Sequence, residues 1–153
     1  LHRGIPEDTV AINTSKVVVG GIAASVVNLA LGFVAFGMML GPKMNAEMDA
    51  VVPGASAKMM SGSNMVMGLL GQVVMAFVLA WLYAAMRPRF GPGMKTAVYA
   101  ALPVWISGVV FYMGYMQMGT MSMNMYLTGA VVSLIITIAA AATAGVLYKE
   151  EGA

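Results

Sequence analysis

Residues 96–148 read TAVYAALPVWISGVVFYMGYMQMGTMSMNMYLTGAVVSLIITIAAAATAGVLY, fifty-three positions without one Asp, Glu, Lys, Arg or His. A helix in water turns one face to solvent and carries charge there, so a run of this length and composition is not a soluble helix. A bilayer crossing takes roughly 20 apolar residues. The stretch is therefore too long for one span and suits two, joined by a turn near residues 118–124 at one face of the membrane.

The rest of the chain repeats that character. Of 153 residues, 60% are hydrophobic and 9% charged, with a mean hydropathy of +0.85. Soluble domains carry about 25% charged residues, which excludes a globular aqueous domain, and the length leaves little for a soluble module. The net charge of +2 is small and scattered, so nucleic acid is not an expected partner. The absence of Cys removes disulfides, zinc–thiolate sites and iron–sulfur clusters. The single His, His2, stands at the chain start, so haem held by paired His, or magnesium held by His from within a span, is excluded.

Working outward, the sequence predicts four spans at residues 17–40, 64–86, 94–117 and 125–148, with tails 1–16 and 149–153 and a loop 41–63. Asn13, Thr14 and Ser15 offer caps ahead of the first apolar run. That run starts only at Val17 and is too long for the core of a signal peptide, so no cleavable leader is expected. Gly41-Pro42 is expected to end the first span. Beyond it Met44, Met48, Val51 and Val52 share one face of a short interfacial helix. The 87–93 stretch, with Pro88, Gly91, Pro92 and Gly93, predicts a tight loop that helix does not enter. Pro103 frees the Tyr99 carbonyl and predicts a kink in the third span.

Orientation follows from the basic residues. Arg3, Lys16, Arg87, Arg89, Lys95 and Lys149 fall on one side, Lys43 and Lys58 on the other, so both termini are expected in the cytoplasm. Tyr112, Tyr115 and Tyr126 at one end, with Trp81, Tyr83, Phe90 and Tyr99 at the other, read as interfacial belts; Trp105 lies deeper and is expected to pack against a neighbour.

Lipid gives helices no hydrophobic reason to associate, so small residues that permit close approach matter most. They recur every fourth position: Gly20, Ala24, Asn28 and Gly32 in span one; Gly68, Gln72, Ala76, Ala80 and Ala84 in span two; Gly129, Ser133, Thr137, Ala141 and Gly145 in span four. These rows predict the buried seams of an all-α, integral membrane antiparallel four-helix bundle. Asn28 and Gln72 differ in depth by roughly 6 Å and are expected to join as helix glue, ahead of a role as substrate ligands.

Chemistry is harder to find. All six carboxylates, Glu7, Asp8, Glu47, Asp49, Glu150 and Glu151, fall in the tails or the loop, and no phosphate loop or zinc-protease signature occurs. Neither catalysis nor ion-coupled transport, which places ionisable groups at membrane depth, is expected. Methionine is the unusual feature: fourteen of seventeen gather at one end of the spans. The run Met116, Met118, Met121, Met123 and Met125 has the spacing of thioether-rich Cu(I) sequences, since soft sulfur selects Cu(I). The same residues serve as adaptable apolar filler or docking surface. With no His or Cys beside them the latter reading leads, and no cofactor is expected, Cu(I) being the alternative.

Three segments, NTSKVVVGG at 13–21, LGFVAFG at 31–37 leading into LGPKM at 40–44, and MAFVLAWL at 75–82, resemble small bacterial four-helix integral membrane proteins of unknown function. The resemblance spans most of the chain and implies four spans without an activity. This chain departs from it in its wealth of Met. The resulting expectation is a non-catalytic accessory subunit in the bacterial inner membrane. Its partners would be the lipid bilayer and other integral membrane subunits, met through the small-residue faces and the Met-rich end. The alternative is a periplasm-facing Cu(I) binder or small-solute carrier.

Overall fold

The structure, a computed structural model, describes residues 12–149. The expected polar tails fall largely on residues 1–11 and 150–153, outside the described residues. The described chain is all helix: α1 (Thr14–Gly32), a π-helical segment (Phe33–Met39), α2 (Gly41–Val51), α3 (Ala55–Met59), α4 (Gly62–Phe90), α5 (Met94–Gln117) and α6 (Met123–Leu147). Four helical stretches, Thr14–Met39, Gly62–Phe90, Met94–Gln117 and Met123–Leu147, are long and apolar enough to cross a membrane.

Local chemistry sets most boundaries. The Asn13 side chain accepts the Lys16 N–H at 3.1 Å and opens α1, satisfying a donor that the first turn leaves orphaned. Ser122 does the same for α6, taking the Met125 N–H at 3.3 Å. Between α4 and α5 the chain reverses over Gly91 (φ 81°) and Gly93 (φ 114°), conformations that favour glycine. The Thr96 hydroxyl donates to the Gly91 carbonyl and closes the turn.

Several boundaries differ from expectation. The fourth helix does not stop before Pro88 but runs through it to Phe90. A proline in the last turn removes only one bond, to the Ala84 carbonyl, and the Gly91 N–H returns to the Arg87 carbonyl at 2.8 Å. Span one does not end as an α-helix at Gly41-Pro42. It widens into the π segment, where the Leu40 N–H bonds the Ala35 carbonyl at 2.8 Å, five residues back. Pro42 then sits at the first turn of α2, where its missing N–H breaks no helical bond. A Cβ on Gly41 would strike the Phe36 carbonyl, so the junction needs glycine for space rather than for φ. The five-residue α3 was not foreseen; the Ser56 N–H and hydroxyl both bond the Asp49 carboxylate and tie it to α2.

Neighbouring helices meet through small side chains at the end where the described chain begins and ends. Ala24, Ala76, Ala80, Ala84, Ala97, Ala100, Ala101, Ala140, Ala141 and Ala144 form its core. Helix α1 packs against both α4 and α6, and α5 packs against α6 and α4. Asn13 lies beside Tyr148, Gly20 against Ala144, and Glu47 at Ser122, so α1 and α6 run in opposite directions. Tyr83 is enclosed there, 1% exposed, with Leu79 and Tyr148 also buried. It belongs to the core, not to an interfacial belt as expected. Its hydroxyl accepts the Gly93 N–H at 2.9 Å, and Gly145 makes room for its ring.

Candidate functional site

The other half of the molecule is built differently. On α4 every buried residue lies between Ala76 and Ala84, and on α5 between Thr96 and Ala101. Beyond those points the two helices part. Between them, α1 and α6 lies a cavity of about 440 Å³. Leu69, Gln72 and Met75 line it from α4, Val104, Trp105, Gly108 and Tyr112 from α5, and Ala130, Ser133 and Thr137 from α6. Asn28 and Leu29 of α1 and Phe33 and Phe36 of the π segment complete the wall. At the far end sit Met44 of α2, Met121 of the α5–α6 turn and Met125. Helix α2 is held over that end by Glu47, which accepts the Ser122 N–H at 2.8 Å and its hydroxyl at 2.9 Å.

The polar groups of the cavity are few and mostly engaged. Asn28 Nδ2 donates to Gln72 Oε1 at 2.9 Å, linking α1 to α4. Trp105 Nε1 donates to the Ala130 carbonyl at 2.8 Å and the Tyr126 hydroxyl to the Val109 carbonyl at 3.2 Å, joining α5 to α6. Ser133 and Thr137 donate to carbonyls of their own helix at 2.9 and 2.7 Å, the usual resort of a hydroxyl in a helix. Among the described residues, no carboxylate, amine, guanidinium or imidazole lines the cavity. Its walls offer shape, apolar contact and amide hydrogen bonds, which is binding chemistry.

The small-residue rows divide by depth. Gly20 lies where an added Cβ would stand 3.2 Å from the Ala144 carbonyl oxygen, Ala24 and Ala76 are buried, and Gly145 abuts Tyr83. Gly129 faces the Phe36 ring, 3.6 Å from an added Cβ. Gly32 and Gly68 depart from the expected seams: nothing lies within 4 Å of a Cβ built on either. The parting of the helices removes the neighbours that their spacing implied. Gly21 was not singled out, yet its missing Cβ admits the Phe77 ring, 2.7 Å from where that Cβ would be.

The five Met residues of the outer turn are also divided. Met121 and Met125 are 8% and 4% exposed and line the cavity, whereas Met118 and Met123 are 74% and 56% exposed; Met116 is half-buried. Among the described residues no three His, Cys, Asp or Glu side chains gather. One signal for the site was present in the sequence: Met121 and Met125 stand four residues apart. The parting of α4 from α5 has no such signal. Set against protein-family models, curated proteins and solved structures, the chain matches none.

Proposed function

We propose that this chain is a non-catalytic accessory subunit of a larger complex in the bacterial inner membrane. It crosses as an antiparallel four-helix bundle with both termini cytoplasmic. The observation that carries the reading is the far half of α4. No residue of that helix before Ala76 is buried, although the segment carries Gly68 and Gly71, around which nothing lies within 4 Å. Glycine costs a helix about 1 kcal/mol relative to alanine, and none of the described residues uses the space it leaves. In lipid such residues let a second helix come close. The partner is accordingly another apolar span, laid along the first half of α4.

The chain has no Cys, so single cysteines report cleanly. A photoreactive thiol reagent on Gly68→Cys, activated in native membranes, should give one discrete heavier adduct, and gentle-detergent electrophoresis should show the chain migrating with it. Lipid adducts alone, with migration as a monomer, would remove the subunit reading. For orientation, Lys149→Cys should be protected from an impermeant reagent in intact cells and Ala57→Cys should be labelled. Labelling of both would overturn the cytoplasmic termini.

A further inference from the structure

Two amide side chains, Asn28, half-buried, and Gln72, exposed, stand among the apolar walls of the cavity. Asn28 is twelve residues after Lys16, and Gln72 is fifteen before Arg87. At 1.5 Å per residue about 18 Å and about 22 Å of helix separate them from those charges. The hydrocarbon core extends only about 15 Å either side of its middle, with lipid ester groups at its edge. Both amides therefore lie well below the esters.

Their mutual bond leaves them unsatisfied. A primary amide has two N–H donors, so one bond between two amides leaves three donors, whichever way each is turned. Gln72 Nε2 donates to no described residue. In water this is harmless; in hydrocarbon an unpaired donor is expensive, and an acceptor offered there is held firmly. The surrounding walls are rings and thioethers, Phe33, Phe36, Trp105, Tyr112 and Met75 among them, surfaces that suit a flat polarizable body. A volume of about 440 Å³ is within the range of small-molecule sites. Leu69, Gln72 and Met75 of α4 line the cavity and are themselves exposed, so it opens to the surroundings along that helix.

We propose that the cavity takes up from the membrane a molecule with a hydrocarbon body and a ring carbonyl, the chemistry of a quinone, whose oxygen accepts from Gln72 Nε2. The proposal is independent of the subunit reading, since the site is contained within one chain.

The test uses the full chain carrying Trp81→Phe, which leaves Trp105 in the cavity wall as the sole tryptophan. The protein is placed singly in phosphatidylcholine nanodiscs and titrated with a decyl-substituted benzoquinone, which quenches indole fluorescence. The expected result is saturable quenching that decylbenzene, lacking the carbonyl, competes with poorly. Lipid esters are present in excess in the same disc, so saturation also excludes them as the preferred occupant. Gln72→Leu should weaken binding about two- to tenfold, the factor for one lost hydrogen bond. Gly108→Leu, at a cavity-lining position with open space around it, should abolish saturation while circular dichroism and melting stay as in the parent. Quenching that rises linearly and equally in all variants would overturn the proposal. So would competition by decylbenzene as strong as by the quinone, or an unchanged affinity in a folded Gln72→Leu protein.

Discussion

Gly145→Ala tests the packing of the tight half. A Cβ at this position would stand 2.5 Å from Tyr83 Cε2 and Cζ and 2.8 Å from its hydroxyl oxygen. Carbon atoms pack at about 3.5–4.0 Å, so the ring must withdraw by roughly 1 Å. Tyr83 has nowhere to go: it is 1% exposed within the alanine-rich core, meets the Tyr148 ring edge-on at 6.4 Å, and holds the Gly93 N–H. Overpacking of this kind costs about 1–3 kcal/mol, and losing the hydroxyl bond costs about 1 kcal/mol more. The better helix propensity of alanine returns about 1 kcal/mol. The expected net loss is about 1–3 kcal/mol, read as a lower midpoint in unfolding by denaturing detergent from mild micelles. Gly68→Ala, in open space, should be neutral or slightly stabilising in the same assay. Tyr83→Leu in the Gly145→Ala background should recover part of the loss, because the two changes share one cause. Equal midpoints for Gly145→Ala and Gly68→Ala, or strict additivity with Tyr83→Leu, would refute the reasoning.

Two further outcomes follow from the π junction and from α2. Gly41→Ala should destabilise by about 2–3 kcal/mol, since its Cβ meets the backbone carbonyl of Phe36 and not a side chain that can rotate; Gly37→Ala, opposed only by the Phe33 ring at 3.1 Å, should cost less in the same unfolding assay. Glu47 is held below its usual pKa of 4.5, chiefly by the Ser122 backbone N–H, helped by the Ser122 hydroxyl and Lys43. A lowered folded pKa means that the contribution is fully present above pH 4.5 and is lost as pH falls through the lowered value. Asp49, lowered by the Ser56 hydroxyl and N–H, acts in the same sense. Amide exchange in α2, corrected for intrinsic rate, should therefore accelerate in acid. Glu47→Gln should show faster exchange already at neutral pH and a weaker pH dependence.

The long helices were legible because their cause is compositional: uncharged runs such as 96–148 leave no other reading, and Asn13 announces the start of α1 by its own side chain. The Asn28–Gln72 pairing was legible from depth alone. Features set by volume were not. Gly41 reads as a helix breaker beside Pro42, whereas its role is to clear the Phe36 carbonyl while the helix carries on in a wider form. Tyr83 reads as an interfacial aromatic, because nothing in a row of alanines says that Gly145 opposite leaves a hole of its shape. Gly68 and Gly20 look alike at four-residue spacing; only the divergence of α4 from α5 sets them apart. The cavity arises from that divergence, a relation among helices that no single segment encodes.

The partners of α1 also impose an order on biosynthesis. Gly20 leans on Ala144 and Asn28 on Gln72, so α1 finds its two neighbours one after the other, α4 well before α6. Until Gln72 arrives, forty-four residues later, the Asn28 amide waits in lipid or at the insertion machinery without its final companion. Until α6 follows, one flank of α1 remains unclad. A nascent chain halted after α4 would hold the amide pair and lack the flank, which makes α6 the clasp that closes α1 into the bundle.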